Sequence, residues 1–148
     1  MKVYVSGATG FGGGHVARGL RERGADVRDE RVDLLDRPGL ARAVAGCEAV
    51  VHVAALYSYD APASEHRRVN VEGTRNLLEA AAEAGVRRFV HTSTAGTCGP
   101  VAGRPATEAD EPPSWELEVP YKRTKLEAET LALEVGAVVV NPTTPVGD

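Results

Sequence analysis

The first two dozen residues constrain the fold more than any other stretch. Lys2–Ser6 reads as a short buried strand, and it runs directly into Gly7-Ala8-Thr9-Gly10-Phe11-Gly12-Gly13. Gly14–Arg23 follows with Val16, Ala17 and Leu20 at helical spacing, and Gly24 is a C-terminal stop. Gly7, Gly10 and Gly13 are spaced three apart between strand and helix. In such a turn the first glycine permits the sharp bend, the second lets backbone approach a pyrophosphate, and the third lets helix and strand pack closely. The helix N-terminus adds free N–H groups and the positive end of its dipole. A glycine triplet alone is a weak signal, and its placement between strand and helix gives it weight. Gly12 is unexpected, because an apolar side chain would pack better there.

The rest of the chain repeats the alternation. Gly39–Ala45 reads as a helix with Pro38 near its start, and Ala49-Val50-Val51-His52-Val53-Ala54-Ala55 as a strand covered on both faces. A long helix is predicted from about Glu65 to Ala84, a strand over Arg88–Thr92, a helix over Tyr121–Glu134 and a last buried strand over Ala137–Val140. Pro100–Pro120 holds five prolines and reads as a surface loop over the mouth of the sheet. Strands alternating with helices imply an α/β fold with a parallel sheet. One interval resists this. Arg28-Asp29-Glu30-Arg31-Val32 is too charged for a strand buried on both faces. The space before Pro38 is also too short for a strand, a crossover and another strand. Either the sheet is smaller than usual or residues are absent near 27–32, and the crossover length favours absence.

With 148 residues, 43% hydrophobic, the chain can bury one core, so a single domain is expected. A net charge of -4 gives no basic footprint for nucleic acid. No apolar run approaches the ~20 residues of a membrane span. The N-terminus leaves no room for a signal peptide. Cys47 and Cys98 are too few for a disulfide scaffold, and as two reduced thiols they fit a cytoplasmic protein. His15, His52, His66 and His91 lack metal-ligand spacing and read as structural or surface residues, and no metal is expected. Glu108, Asp110 and Glu111 read as a solvated loop.

Tyr121-Lys122-Arg123-Thr124-Lys125 places a phenol and an ammonium four residues apart on one helix face. The spacing arises often by chance, but here it follows the glycine turn and Thr92-Ser93-Thr94. Together with Ala54-Ala55, Asn70-Val71-Glu72-Gly73-Thr74 and Asn141-Pro142-Thr143-Thr144-Pro145-Val146-Gly147, these motifs resemble the extended short-chain dehydrogenase/reductase family. The resemblance covers nearly the whole chain and the NAD-dependent epimerase/dehydratase type within that family. It is nearest the dihydroflavonol-4-reductase-like branch with the hopanoid-associated sugar epimerases. It implies a Rossmann-type doubly wound parallel sheet as an NAD(P)-binding domain over 1–148, with the C-terminal substrate domain absent. It also implies a homodimer through the two long helices.

A hydride leaves a carbinol carbon only as the hydroxyl proton is removed, so a base must reach that oxygen. Tyr121 is the candidate, and Lys125 supplies a positive charge that favours phenolate. By resemblance Lys125 also holds the ribose hydroxyls, and Thr94 hydrogen-bonds the substrate oxygen, with Ser93 the rival by one position. Asn70 would anchor backbone or a relay water. Gly7, Thr9, Gly10, Phe11, Gly12 and Gly13 would cradle the dinucleotide, and Asp33 and Leu34 would lie beside the adenine. Ala54 and Ala55 would admit the cofactor, and Pro142 and Thr143 would approach the carboxamide. An acidic residue about 20 positions after the glycines favours NAD and a basic one NADP. Arg28, Asp29, Glu30 and Arg31 all crowd that window, so the choice stays open. The leading reading is a redox enzyme acting on an alcohol or ketone of a sugar nucleotide or small ketone. A cofactor-binding sensor is the alternative, as is the cofactor half of a larger enzyme.

Overall fold

The computed structural model of the protein describes residues 1–146. Five strands, β1 (Lys2–Ser6), β2 (Asp26–Arg28), β3 (Ala49–His52), β4 (Arg88–Thr92) and β5 (Val138–Val140), form one parallel sheet in the order β2-β1-β3-β4-β5. The chain winds outward from β1 to β2, then returns to β3 on the other side. The register aligns Ser6 with His52, His52 with His91, and Thr92 with Val140. The carboxyl ends of β1, β3, β4 and β5 therefore share one rim, where the strand order reverses and open α/β sheets bind ligands.

Helices cover both faces. On one face, α1 (Phe11–Glu22) buries Ala17 against Val3, Val5 and Ala49. On the other, α2 (Arg37–Val44) and α4 (Gly73–Glu83) bring Leu40, Val44, Leu77 and Ala81 onto Tyr4 and Val50. Leu40, Leu77 and Val50 are fully buried, each contributing about 1.5–3 kcal/mol of transfer free energy. The α2 start is set by Asp36, whose carboxylate accepts the Gly39 N–H at 3.0 Å, with Pro38 in the first turn. Helix α5 (Pro120–Glu134) packs on α4 and β5.

Two elements differ from the sequence reading. The long helix expected over about 65–84 has three parts: α3 (Ala63–His66), a π-helical segment (Arg67–Glu72) and α4. The widened turn ends at Gly73, where an added Cβ would lie 2.6 Å from Leu34 Cβ. The β5 strand is not buried. Val138 and Val140 are 60% and 43% exposed, so it forms an open apolar edge. The interval over 27–32 leads from the outer strand β2 toward α2. β2 is a three-residue outer strand, half-exposed, which is why its charged sequence is tolerated.

Candidate active site

The glycine turn joins β1 to α1 under two close contacts. Gly7 has φ +75°, and a Cβ there would lie 2.6 Å from the Ala54 nitrogen. A Cβ on Gly13 would lie 2.1 Å from the Gly7 carbonyl oxygen. These two positions admit only glycine. Gly12 behaves differently, since a Cβ there would meet Val53 Cγ1 at an ordinary 3.6 Å. Its missing side chain leaves open space where the groove meets the inner pocket. Among the described residues no side chain caps α1 and no acid occupies its first turn. Its first N–H groups are thus left for an anion. A groove of about 740 Å³ runs over Gly7, Thr9, Gly10, Phe11, Gly12 and Gly13, with Ala54 and Ala55 along its opposite wall. This cradle fits a dinucleotide pyrophosphate. Phe11 is exposed and packs edge-on against His15.

Asp33 and Leu34 follow Arg31 and Val32, which lie at the far end of the groove. Leu34 turns its side chain into the core, and its carbonyl accepts from Asn76 Nδ2 at 3.0 Å. Asp33 is exposed, and its carboxylate accepts the Leu35 N–H at 2.9 Å. Neither side chain lines the groove; Arg31 and Val32 do. Arg31 is the one charged side chain on it among the described residues. Asp29 is paired with Arg21 at 2.8 Å, and Arg28 donates to the carbonyls of Arg42, Ala43 and Ala45 at the end of α2.

An inner pocket of about 370 Å³ opens from the groove and is bounded by Thr94, Tyr121, Lys125, Pro142 and Thr143. Successive residues leaving β4 point opposite ways, which separates Ser93 from Thr94. Ser93 is buried and donates to Glu129 Oε2 at 2.5 Å. Thr94 lines the pocket, its Oγ1 accepting the Gly96 N–H at 3.2 Å. Tyr121 stands in the first turn of α5, half-buried, with its ring edge-on to Tyr57 at 4.8 Å. It lines the groove, the inner pocket and an outer cavity of about 750 Å³ that also includes Thr94, Cys98 and Lys122.

Lys125, one turn further, is 2% exposed, and its ammonium donates to the Thr92 carbonyl at 2.7 Å and to His91 Nε2 at 3.5 Å. Burial pulls it down to about 8, against the opposing charge of Glu129. The Tyr121 phenol is raised, first by burial and then by Tyr59. The Lys125 ammonium is committed to the Thr92 carbonyl. Asn70 lies in the π-helical segment. Its Oδ1 accepts the Leu56 N–H at 2.7 Å, and its Nδ2 donates to the Leu56 carbonyl at 3.1 Å and to Thr124 Oγ1 at 3.2 Å. It clamps the loop after β3 onto α5.

Three of the four histidines are buried. His52 bridges Ser6 Oγ at 2.7 Å and Thr74 Oγ1 at 2.9 Å, and His66 holds the Ser58 carbonyl at 2.8 Å. Asp110 is less solvated than its composition implies: Arg104 holds it with both guanidinium nitrogens, and Thr107 donates to it as well. Together they keep its carboxyl well below the usual range. The buried carboxylate of Glu129 escapes sequence reading, although its position four residues beyond Lys125 on the buried face of α5 is a usable signal.

The family described as NAD dependent epimerase/dehydratase matches residues 3–147. A Synechocystis sp. protein with the provisional name dihydroflavonol 4-reductase is 35% identical over 97% of this chain and 49% of its own length. A short-chain dehydrogenase/reductase superfamily protein from Agrobacterium tumefaciens, solved with bound NAD, is 33% identical with a TM-score of 0.82, covering 95% of this chain and 48% of its own. A UDP-glucose 4-epimerase from Stenotrophomonas maltophilia, solved with NAD and formylated UDP-arabinopyranose, is 25% identical with a TM-score of 0.86, covering 95% of this chain and 52% of its own. The chain spans about half the length of these relatives. With a family match over nearly all its residues, the chain belongs to the NAD-dependent epimerase/dehydratase family.

Proposed function

We propose that this chain carries the cofactor half of an enzyme that moves hydride between a nicotinamide dinucleotide and an alcohol or ketone carbon, on a sugar nucleotide or a small ketone. The observation that carries this reading is Tyr121 at the junction of three spaces: the glycine-lined groove, the inner pocket and the outer cavity. A dinucleotide in the groove supplies a hydride acceptor or donor. Gly10, Gly12, Gly13 and the α1 N-terminus hold its phosphates, with Pro142 and Thr143 bounding the inner pocket.

The protein groups handle the proton and the orientation. Tyr121 takes the carbinol proton in one direction and returns it in the other, while Thr94 donates to the same oxygen and fixes its position. A phenol raised by burial is a better proton donor in waiting than a base. Oxidation therefore depends on positive charge arriving with the oxidised cofactor and on Lys125. Asn70 keeps the loop carrying Ala54 and Ala55 against α5. The resemblance also supports a homodimer packed through the two long helices.

The test is incubation with NAD(H) or NADP(H) and a panel of ketones and nucleotide sugars, comparing wild type with Tyr121→Phe. Turnover that Tyr121→Phe removes supports the reading. Tight cofactor binding without Tyr121-sensitive turnover would favour a dinucleotide sensor instead.

A further inference from the structure

Glu129 is 9% exposed and sits on the face of α5 that carries Tyr121 and Lys125, at successive intervals of four residues. Its Oε2 collects three donors from two separate segments. Ser93 Oγ lies at 2.5 Å, Thr97 Oγ1 at 2.8 Å and Asn141 Nδ2 at 3.1 Å. Those segments flank the reaction site. Ser93 and Thr97 bracket Thr94, and Asn141 precedes Pro142 and Thr143. The same network is closed from the other side: Asn141 Nδ2 reaches Thr97 Oγ1 at 2.9 Å and the Thr94 carbonyl at 3.3 Å, and the Ala95 N–H reaches the Pro142 carbonyl at 2.9 Å.

We propose that Glu129 is a positioning residue that fastens the Thr94 turn and the Asn141–Thr143 segment to α5 beside Lys125. The inference rests on the function proposed above. One buried carboxylate within hydrogen-bond reach of three donors, with the Thr97 hydroxyl shared with the Thr94 carbonyl at 2.7 Å, fixes the distance between the helix that brings the proton donor and the two loops that bring substrate oxygen and cofactor. The groups facing Lys125 are His91 and His52 from the sheet and Tyr121 and Glu129 from α5. Both histidines are held neutral by burial. Among the described residues, Glu129 is the negative charge opposing the desolvation of Lys125. A purely structural carboxylate would stabilise the fold without altering how Lys125 titrates.

The experiment compares wild type, Glu129→Gln, Thr97→Val and Tyr121→Phe. Side-chain ammonium NMR of ¹⁵N-lysine-labelled protein follows the Lys125 midpoint with pH, and NADH fluorescence follows cofactor affinity. Glu129→Gln is expected to lower the Lys125 midpoint by about half a pH unit or more. It should also weaken NADH binding about threefold or more, through the loosened loops. Thr97→Val, which keeps the carboxylate, should leave the midpoint in place while weakening NADH binding; it is the safer variant for folding. An unmoved midpoint in Glu129→Gln, or unchanged NADH affinity in both variants, overturns the proposal. With any substrate that turns over, Glu129→Gln should lower kcat more than it raises KM. If Tyr121→Phe keeps full turnover, the function proposed for the site fails. If Tyr121→Phe loses turnover while both Glu129→Gln and Thr97→Val behave as wild type, only the role of Glu129 fails.

Discussion

Replacing Lys125 with methionine isolates the cost of burying its charge. The ammonium falls from an ordinary 10.5 to about 8 in the folded protein. Its folded value is depressed, so between the two values the unfolded chain binds more protons, and stability rises with pH. At neutral pH the penalty is about 3 kcal/mol, and about 2 kcal/mol of it is relieved between about pH 7 and about pH 9.5. Other groups act oppositely in that range. Tyr4 is raised to about 12 and the Cys47 thiol is raised, both chiefly by burial, so each loses stability as pH climbs. The quantity to measure is therefore a difference. Urea unfolding followed by far-UV circular dichroism at several pH values, in wild type and Lys125→Met, cancels the shared terms. The wild-type curve should gain about 2 kcal/mol on the variant across that interval. Parallel curves would refute the buried charge, and with it the claim that Lys125 is kept as a cation at some expense to the fold.

Acid should act through the imidazoles. His91 is lowered to about 3 and His52 well below 6.5, each first by burial, so stability is present above about 6.5 and lost as pH falls. His91 alone should cost about 2 kcal/mol by about pH 5, a loss that an acid titration of His91→Asn should not show. Gly13→Ala drives a methyl into the Gly7 carbonyl. It should destabilise by about 1–3 kcal/mol in thermal melts and abolish NADH binding, whereas Gly12→Ala should melt within about 0.5 kcal/mol of wild type. Arg31→Glu should move the ratio of NADP+ to NAD+ dissociation constants about tenfold toward NAD+ by calorimetry, and an unchanged ratio would remove Arg31 from the adenosine end.

Strand and helix order were legible because each element carries a strong local pattern. Lys2–Ser6 and Arg88–Thr92 coincide with β1 and β4 to the residue. The π-helical turn at Arg67–Glu72 was not legible. Its residues suit an α-helix equally well. The exposure of β5 was not legible either, because Val138-Val139-Val140 reads as a covered strand whatever lies over it. At the site, Tyr121 and Lys125 could be found from spacing and Thr94 from the family resemblance, and all three line one pocket. Arg31 could not, since four charges crowd the same window and only the ion pair of Asp29 and the helix-end contacts of Arg28 leave it on the groove.

The most direct test of the central claim is deuterium transfer. Protein is incubated with NADH or NADPH deuterated at the nicotinamide C4, with a ketone or nucleotide sugar that turns over, and the product is analysed by mass spectrometry. Wild type should place deuterium on the reacting carbon. Tyr121→Phe should slow the transfer about 10²–10⁴-fold while keeping cofactor affinity within about threefold. Deuterium transfer at the wild-type rate in Tyr121→Phe, or a product formed without label, would contradict the account.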